Sequence, residues 1–389
     1  MPVRIGSGLS TVPDARVGAL EAASAASRGL EGEPCDVALV FATGVHLAAP
    51  EATLEAVQEV LEPAALIGCG AEGVIGGRRE IERGTAVSVW CAALGGGEAT
   101  PFHAAVEPLG EGSGVGALTG LPPLEDASAV ILLADPASFP TDAVLRALSE
   151  QAPELPLIGG LAAARLPDDA TALFMGDEVV EDGAVGLRLD GVDVIPCVSQ
   201  GAAPIGPELT ITAGEGHVIA ELAGRPALAK LRETIEELPA AELALVEQGL
   251  LVGIVVDANK PDYVRGDFLV RGLVGADPES GRLAVGTEVR PGQVVRLHAR
   301  DAESADEDLR AVLDDGLRVL NGRRPAGALV FACNGRGRGM FGSADHDAEA
   351  VVKAIGGAPA AGFFAAGEIG PVGGEYFLHS FTATVAVFA

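Results

Sequence analysis

The chain has 389 residues, of which 48% are hydrophobic and only 4% aromatic, and its formal net charge at pH 7 is −29. Such a negative field disfavours binding to nucleic acid and to anionic membrane surfaces. The length suits roughly two or three domains, and the composition predicts a core of small aliphatic side chains.

The five cysteines, Cys35, Cys69, Cys91, Cys197 and Cys333, lie far apart and form no CxxC pair. Their odd count and spacing indicate neither a disulfide framework nor a zinc site, and they suit a reducing compartment. The N-terminal residues lack the apolar segment of a signal peptide, and no uncharged apolar run reaches the roughly 18 residues that span a bilayer. We expect a cytoplasmic protein that binds neither nucleic acid nor membrane. The histidines show no metal spacing, so we predict no metal and no cofactor.

Helix and strand patterns alternate from the start of the chain. The predicted elements of the first part are helix 16–28, strand Asp36–Thr43, helix Pro50–Leu61, strand Ala65–Gly68, glycine loop Gly68–Gly77 and strand Thr85–Leu94. The second helix is predicted because Leu54, Val57 and Leu61 recur on one helical face. A similar series follows: strand Ala129–Ala134, helix Thr141–Gln151, strand Leu155–Ile158, a glycine loop from Gly159, and paired strands at Ala170–Met175 and Gly183–Leu189.

Glycine, proline, serine and threonine cluster between Gly201 and Glu221, which indicates a boundary there. We therefore divide the chain into residues 1–205 and 206–389. Beyond the boundary we predict helix Ala220–Leu238, strands Leu250–Val256, Asp267–Gly272 and Gln293–Arg300, and helix Asp306–Leu320.

The first pattern returns near the C-terminus. The predicted elements are strand Ala328–Ala332, helix Asp347–Ile355, short strand Ala358–Gly362, glycine loop Phe363–Pro371, and one long strand or a strand pair at Tyr376–Phe388. One unit, strand–helix–short strand–glycine loop–strand, thus occurs about three times at irregular spacing, which indicates degenerate duplication. We predict an α/β fold with two related halves whose mixed β-sheets pack together with helices on the outside.

The segment Cys333–Gly342 joins a strand to a helix and combines a thiol, an amide, two arginines and several glycines. Glycine allows the backbone to approach a ligand closely, and Arg336 and Arg338 carry the forked donors that suit a carboxylate. The segment lacks the Lys and Ser/Thr of a Walker phosphate loop, and its glycine spacing differs from the dinucleotide fingerprint. These features favour a small-molecule site over a nucleotide site.

Three motifs together resemble one known family. They are Phe331–Gly337, Gly362–Pro371 and the closing His379-Ser380-Phe381-Thr382, and the loop Ile67–Gly76 is similar to the glycine loop of the family's N-terminal domain. The chain resembles FIST proteins (F-box and intracellular signal transduction) from about Asp36 to Phe388, and it contains segments similar to both the N-terminal and C-terminal FIST domains. The resemblance implies a bacterial sensory protein of signal transduction that binds a small ligand, such as an amino acid or its derivative. A separate partner protein would then receive the signal.

The residue types suggest a role for each part of such a site. The predicted ligand-binding residues are Cys333, Asn334, Gly335, Arg336, Arg338, Phe341, Gly367, Glu368, His379, Gly70 and Glu72. Arg336 would bind a ligand carboxylate, Glu368 a ligand amine, and Phe341 would form an apolar wall. The alternative for Arg336 is a structural ion pair, with Glu368 as its partner.

Two other functions remain open. Cys333 is a weak candidate for the nucleophile of a hydrolase or transferase, since nearby arginines lower the pKa of a thiol and His346 or His379 would be the base. The alternative without catalysis is that Cys333 is a small lining residue at a strand end. The acidic surface also fits a protein-interaction scaffold.

Overall fold

The computed structural model describes residues 2–108, 116–164, 172–247, 249–264 and 266–389. The chain forms two compact units. Unit 1 comprises Met1–Val198, Arg310–Leu378 and Thr382–Ala389, and unit 2 comprises Ser199–Leu309 and His379–Phe381. Unit 1 contains the three predicted repeats, and each repeat adds an edge strand and a β-hairpin to the predicted pattern.

The first repeat supplies the first sheet and the helices that cover it. Its elements are β1 (Arg4–Ser10), α1 (Ala15–Ser27), β2 (Val37–Thr43), α2 (Val45–Ala48), α3 (Pro50–Leu61), β3 (Ala65–Gly70), β4 (Val74–Gly76), β5 (Arg79–Ile81) and β6 (Ala86–Ala93). Asp14 caps α1 by accepting a hydrogen bond from the Val17 N–H at 2.9 Å, and Pro50 starts α3, where its missing N–H costs nothing. The prediction of helix Pro50–Leu61 is confirmed.

The second repeat follows the same order with one helix. Its elements are β7 (Glu98–Pro108), β8 (Gly116–Thr119), β9 (Ala129–Ala134), α4 (Thr141–Gln151), β10 (Leu157–Leu161), β11 (Leu173–Met175), β12 (Glu178–Val180) and β13 (Ala184–Asp190). The bounds predicted for β9 and α4 are confirmed. The predicted pairing of Ala170–Met175 with Gly183–Leu189 is wrong, because β11 pairs with β3 and β12 while β13 pairs with β7 and β9. Residues 170 and 171 lie outside the described residues.

The third repeat opens with one strand before the chain enters unit 2. The elements from there are β14 (Val194–Ser199), β15 (Ala202–Glu215), β16 (Val218–Leu222), β17 (Arg225–Pro226), α5 (Ala227–Glu236), α6 (Ala240–Val246), β18 (Leu250–Val255), β19 (Phe268–Asp277), β20 (Arg282–Val285), β21 (Val294–Arg300) and α7 (Ala302–Arg318). The predicted helix Ala220–Leu238 is wrong in its first part. Ala223 and Gly224 have positive φ and reverse the chain between β16 and β17, so the helix begins only at Ala227.

Unit 2 is a closed antiparallel barrel. Its strands pair in the order β15-β21-β18-β19-β20-β16, and a further pairing of β15 with β16 completes the ring. Alternating apolar side chains such as Ile205, Ile254 and Leu297 form its buried core. Closure leaves no unpaired edge in the ring.

The third repeat then resumes in unit 1. Its remaining elements are β22 (Gly327–Cys333), α8 (Arg338–Phe341), α9 (His346–Ala354), β23 (Ala360–Ala365), β24 (Glu368–Val372), β25 (Glu375–His379) and β26 (Ala383–Phe388). The predicted loop Phe363–Pro371 is wrong, because most of it belongs to β23 and β24. Of the two forms predicted for Tyr376–Phe388, the structure has two strands, and these lie in different sheets.

The three repeats exchange their hairpins in a cycle. The sheets have the strand orders β1-β6-β2-β3-β11-β12, β25-β24-β10-β9-β13-β7-β8 and β14-β26-β22-β23-β4-β5. The hairpin of the first repeat therefore completes the third sheet, that of the second completes the first sheet, and that of the third completes the second. Each repeat depends on another for the edge of its sheet.

Equivalent glycines mark where each parallel strand packs closely against its neighbour. A Cβ atom at Gly68, Gly159 or Gly362 would lie 2.0, 1.8 or 1.8 Å from a carbonyl oxygen of the preceding parallel strand. Only glycine fits such an approach. The glycine-rich segments that suggested loops are therefore largely strands.

The sheets of unit 1 share an apolar core. Phe363 stacks on Phe41 with ring centroids 5.1 Å apart and meets Phe331 edge-on at 5.6 Å, so residues of the first and third repeats pack together. The predicted α/β class with mixed sheets is confirmed. The division at residues 205 and 206 stays a prediction about sequence domains, since compact units and sequence domains need not coincide.

Candidate functional site

Glu368 occupies a strand position that the other two repeats fill with apolar residues. The register places it in β24 where Val74 stands in β4 and Leu173 in β11, because the next residue of each strand pairs with the equivalent glycine. All three side chains are fully buried. A carboxyl group at an apolar core position costs stability, which makes it the first candidate for a functional residue.

The two carboxyl oxygens of Glu368 differ in their surroundings. Oε2 accepts hydrogen bonds from the Thr382 N–H at 3.1 Å and from the Thr382 hydroxyl at 2.7 Å. Oε1 is buried and has no hydrogen-bond partner among the described residues. Burial raises the pKa of Glu368 to about 8, although Thr382, the Cys333 thiol and the Arg336 charge each lower it. Burial therefore favours the neutral acid form of Glu368 near neutral pH.

Arg336 and Asp347 form a fully buried ion pair. The Nε and Nη2 atoms of Arg336 donate to Oδ2 and Oδ1 of Asp347 at 2.6 and 2.9 Å, and both side chains are 0% exposed. Burial opposes the charge on each partner. The Arg336 charge nevertheless lowers the pKa of Asp347 to about 2. The pKa of Arg336 is raised by Asp347 and, to a smaller extent, by Glu368 and Cys333. Both groups stay charged throughout the physiological range.

Aromatic rings flank this pair on the side of helices α8 and α9. The Phe341 ring stacks on His346 with centroids 3.5 Å apart, and the Arg336 guanidinium carbon lies 5.1 Å from the Phe341 centroid. His346 Nδ1 lies 3.0 Å from Asp347 Oδ1. Phe341 is half-buried, so it forms part of the wall between the ion pair and the surface.

Cys333 ends strand β22 beside Glu368 and Arg336. Its N–H donates to the Thr382 carbonyl at 3.0 Å, while the Thr382 N–H and hydroxyl bind Glu368. Cys333 is buried but retains 8% of its surface, and the adjacent Asn334 is exposed. Cys333 thus lies in the chain between a buried strand and an exposed residue.

Two glutamates of the first repeat, on and next to its exchanged hairpin, accept hydrogen bonds from the backbone of α8 and α9. Glu80 Oε1 accepts a hydrogen bond from the Ala348 N–H at 2.9 Å, and Glu82 Oε1 accepts one from the Arg338 N–H at 2.9 Å. A Cβ atom at Gly337, whose φ is +70°, would lie 2.8 Å from the Glu82 carboxyl carbon. The first repeat therefore fixes the start of both α8 and α9.

The other predicted residues lie in different settings. Arg338 is exposed, Gly335 is half-buried, and Gly367 is buried with its carbonyl accepting from the Leu161 N–H at 2.8 Å. In the corresponding segment of the first repeat, the Gly70 N–H donates to Ala172 at 2.7 Å and the exposed Glu72 accepts from the Thr43 hydroxyl through its carbonyl at 3.3 Å. His379 is buried at the end of β25 and belongs to unit 2.

The structure brings Cys333, Arg336, Phe341 and Glu368 together, and the partner of the Arg336 fork is Asp347. Sequence reasoning missed Asp347, Thr382 and Glu80 as members of the cluster. Asp347 could have been found, because it is an acid in the first turn of a predicted helix just after the arginine segment. Glu80 could not, since 268 residues separate it from Ala348 and only hairpin exchange unites them. Whether these residues bind a ligand stays a prediction.

Among the described residues, no helix combines the length and apolarity needed to cross a membrane. Within the same ranges, no group of three or more His, Cys, Asp or Glu side chains is placed to hold a metal ion.

Sequence comparisons match both parts of the chain to one family. The FIST N domain matches residues 36–225 and the FIST C domain matches residues 227–371. The chain therefore belongs to the FIST family, as the resemblance predicted, although the expansion of the name that includes an F-box is wrong.

Curated relatives span the same length. The "Uncharacterized protein Rv0628c" of Mycobacterium tuberculosis (strain ATCC 25618 / H37Rv) is 43% identical over 387 residues, which cover 99% of this chain and 100% of the relative. The "Uncharacterized protein Mb0898c" of Mycobacterium bovis (strain ATCC BAA-935 / AF2122/97) is 42% identical, with 99% of each chain covered. FIST domains are associated with sensing in signal transduction.

Proposed function

We propose that this FIST protein is a cytoplasmic sensor that binds a small amine-bearing molecule, an amino acid or its derivative, at the Cys333–Glu368 cluster. It passes its state to a separate signalling protein. The single observation that carries the proposal is the buried carboxyl group of Glu368 at a position where the other two repeats have apolar side chains.

The unpartnered oxygen of Glu368 supports a ligand with a hydrogen-bonding cation. A buried polar atom without a partner costs about 1–3 kcal/mol, and a ligand ammonium group would remove that cost. Its charge would also stabilise the Glu368 carboxylate, so that binding releases the proton that Glu368 holds at pH 7.

The remaining cluster residues suit a zwitterion. Arg336 is committed to Asp347 by two hydrogen bonds, so it acts on the ligand through its charge and by holding the wall in place. The exposed Arg338 and Asn334 supply donors for a ligand carboxylate, and Phe341 supplies apolar contact.

A thermal-shift screen tests the proposal. The panel contains amino acids and their amides and N-acetyl derivatives, applied to the wild type, Glu368→Gln and the matched control Glu375→Gln, which changes an exposed glutamate of the adjacent strand β25. A ligand at a hundredfold excess over its Kd stabilises the folded state by about 2.7 kcal/mol. We expect free amines to raise the Tm of the wild type and of the control but not of Glu368→Gln. Equal shifts in all three proteins, or no shift with any member, would contradict the proposal.

A second candidate function is thiol chemistry at Cys333. The observation in its favour is that the thiol lies close enough to Glu368 and Arg336 to affect the pKa of each. In that case Cys333→Ala abolishes turnover and leaves ligand binding intact. If neither the wild type nor Cys333→Ala converts a ligand found in the screen, the enzyme candidate fails and the sensor remains.

A further inference from the structure

Glu80 reaches the candidate site from a different repeat. It lies in β5, which pairs with β4, and β4 pairs in turn with β23 of the third repeat. Its side chain is 6% exposed. Glu80 Oε1 accepts from the Ala348 N–H at 2.9 Å, and the Glu80 N–H donates to Asp345 Oδ1 at 2.7 Å. These reciprocal bonds join the exchanged hairpin to the start of α9, which carries Asp347.

The second carboxyl oxygen of Glu80 is not used by this brace. Oε2 is buried without a hydrogen-bond partner among the described residues. Burial, and then the negative charge of Asp347, raise the pKa of Glu80 to about 7. Asp347 binds Arg336, and Arg336 also feels the charge of Glu368. One buried ion pair is thus coupled to two carboxyl groups that change charge near neutral pH.

The charged surroundings of Glu80 come from few elements. The titratable and charged groups of the packed elements are Asp345, His346, Asp347, Glu349 and Lys353 at and along α9, Arg336 and Arg338 next to them, and Arg78, Arg79, Glu82 and Arg83 on or beside its own strand. Strand β4 contributes none, since it consists of Val74, Ile75 and Gly76. Of these, Asp347 and then Asp345 act on Glu80 by their charge.

We propose that Glu80 is a positioning residue of the ligand site, and that its ionisation makes the electrostatic potential at the Arg336–Asp347 pair more negative. The part that concerns a ligand rests on the function proposed above. When Glu80 ionises, it adds negative charge beside Asp347 and so favours a cationic ligand. The first repeat thereby couples the occupancy of the third-repeat site to pH.

The coupling is measurable without any ligand. The side-chain Nε–H of a buried arginine held by a carboxylate gives its own signal in a ¹H–¹⁵N correlation spectrum, and Arg336→Lys identifies that signal by its loss. We follow it from about pH 5.5 to about pH 9 in the wild type, Glu80→Gln and Glu368→Gln. Glu82→Gln is the matched control, because Glu82 lies in the same segment and also accepts a backbone N–H bond.

The expected result is a shift in two steps in the wild type, with midpoints near 7 and near 8. Glu80→Gln should lose the lower step and keep the upper one, Glu368→Gln should do the reverse, and Glu82→Gln should keep both. If Glu80 only held the hairpin against α9, the Arg336 Nε–H signal would show no step near pH 7. A wild-type signal that does not move through that range, or a lower step that persists in Glu80→Gln, overturns the proposal.

A second measurement needs no substitution. In wild-type protein labelled at the glutamate side-chain carboxyl carbons, the Glu80 resonance should titrate near pH 7, and a midpoint below about pH 5.5 would overturn the proposal even if Glu80→Gln fails to fold. Both experiments use the ligand-free protein. They can therefore fail while the ligand screen succeeds, or succeed while it fails.

Discussion

Replacing Glu368 by Gln should change how stability depends on pH. The folded protein raises the pKa of this carboxyl from 4.5 to about 8, so it holds the proton more tightly than the unfolded chain does. The stabilisation due to this group is then fully present below about pH 4.5 and is lost as the pH rises through about 8. At about 1.36 kcal/mol per pKa unit, the loss amounts to about 4–5 kcal/mol once the buried group is forced to ionise. Gln keeps an acceptor for Thr382 and cannot ionise.

The assay is the free energy of unfolding by urea at several pH values from about 5 to about 9. The stability of Glu368→Gln relative to the wild type should rise by about 4 kcal/mol across that range. Glu72→Gln is the control, since Glu72 is exposed in the corresponding segment of the first repeat, and its difference from the wild type should stay flat. Parallel curves for the wild type and Glu368→Gln would refute a buried, protonated Glu368.

Three further predictions concern the same region. Asp347→Asn leaves Arg336 buried without its counter-charge, so the free energy of unfolding at pH 7 should fall by about 3–5 kcal/mol; a loss below about 1 kcal/mol would contradict the fully buried pair. Gly362→Ala places a Cβ atom 1.8 Å from a strand carbonyl and should cost at least about 1–3 kcal/mol, whereas Gly339→Ala meets no atom within 4 Å and should stay within about 0.5 kcal/mol; equal Tm values would exclude the close strand contact. Cys333→Ala should leave the affinity for a screened amine within about threefold, and calorimetry showing a much larger loss would make the thiol a direct ligand contact.

Apolar patterns and turn residues predicted those helices and strands that depend only on residues close together in the sequence. Helix Pro50–Leu61 and strand Ala129–Ala134 have the predicted bounds, because the helix has one apolar face and the strand is a short continuous apolar run that is buried on both faces. Helix Ala220–Leu238 failed because apolar spacing alone did not reveal the reversal at Ala223 and Gly224. The predicted loop Phe363–Pro371 is reduced to a short bend at Ala366 and Gly367 between β23 and β24, because glycine serves close strand packing, as at Gly362, as well as turns.

The exchange of hairpins could not be predicted from local patterns. It pairs β4 with β23 and β10 with β24. These pairs join strands of different repeats, so they depend on how the folded repeats fit together and not on nearby residues. The residues that the exchanged hairpin brings to the candidate site could not be predicted either. The arginine and glycine motif pointed to Cys333, Arg336 and Glu368, while Glu80 entered the cluster only through the fold.

Proton release on ligand binding tests the assignment of Glu368 as the cation contact most directly. Calorimetric titration of the first amine found in the screen, at pH 7 in two buffers with different ionisation enthalpies, counts the protons released. We predict a release close to one proton per bound ligand, because the pKa of Glu368 is about 8 in the free protein and falls beside an ammonium group. Glu368→Gln should release none. Binding to the wild type with the same heat in both buffers would contradict the site.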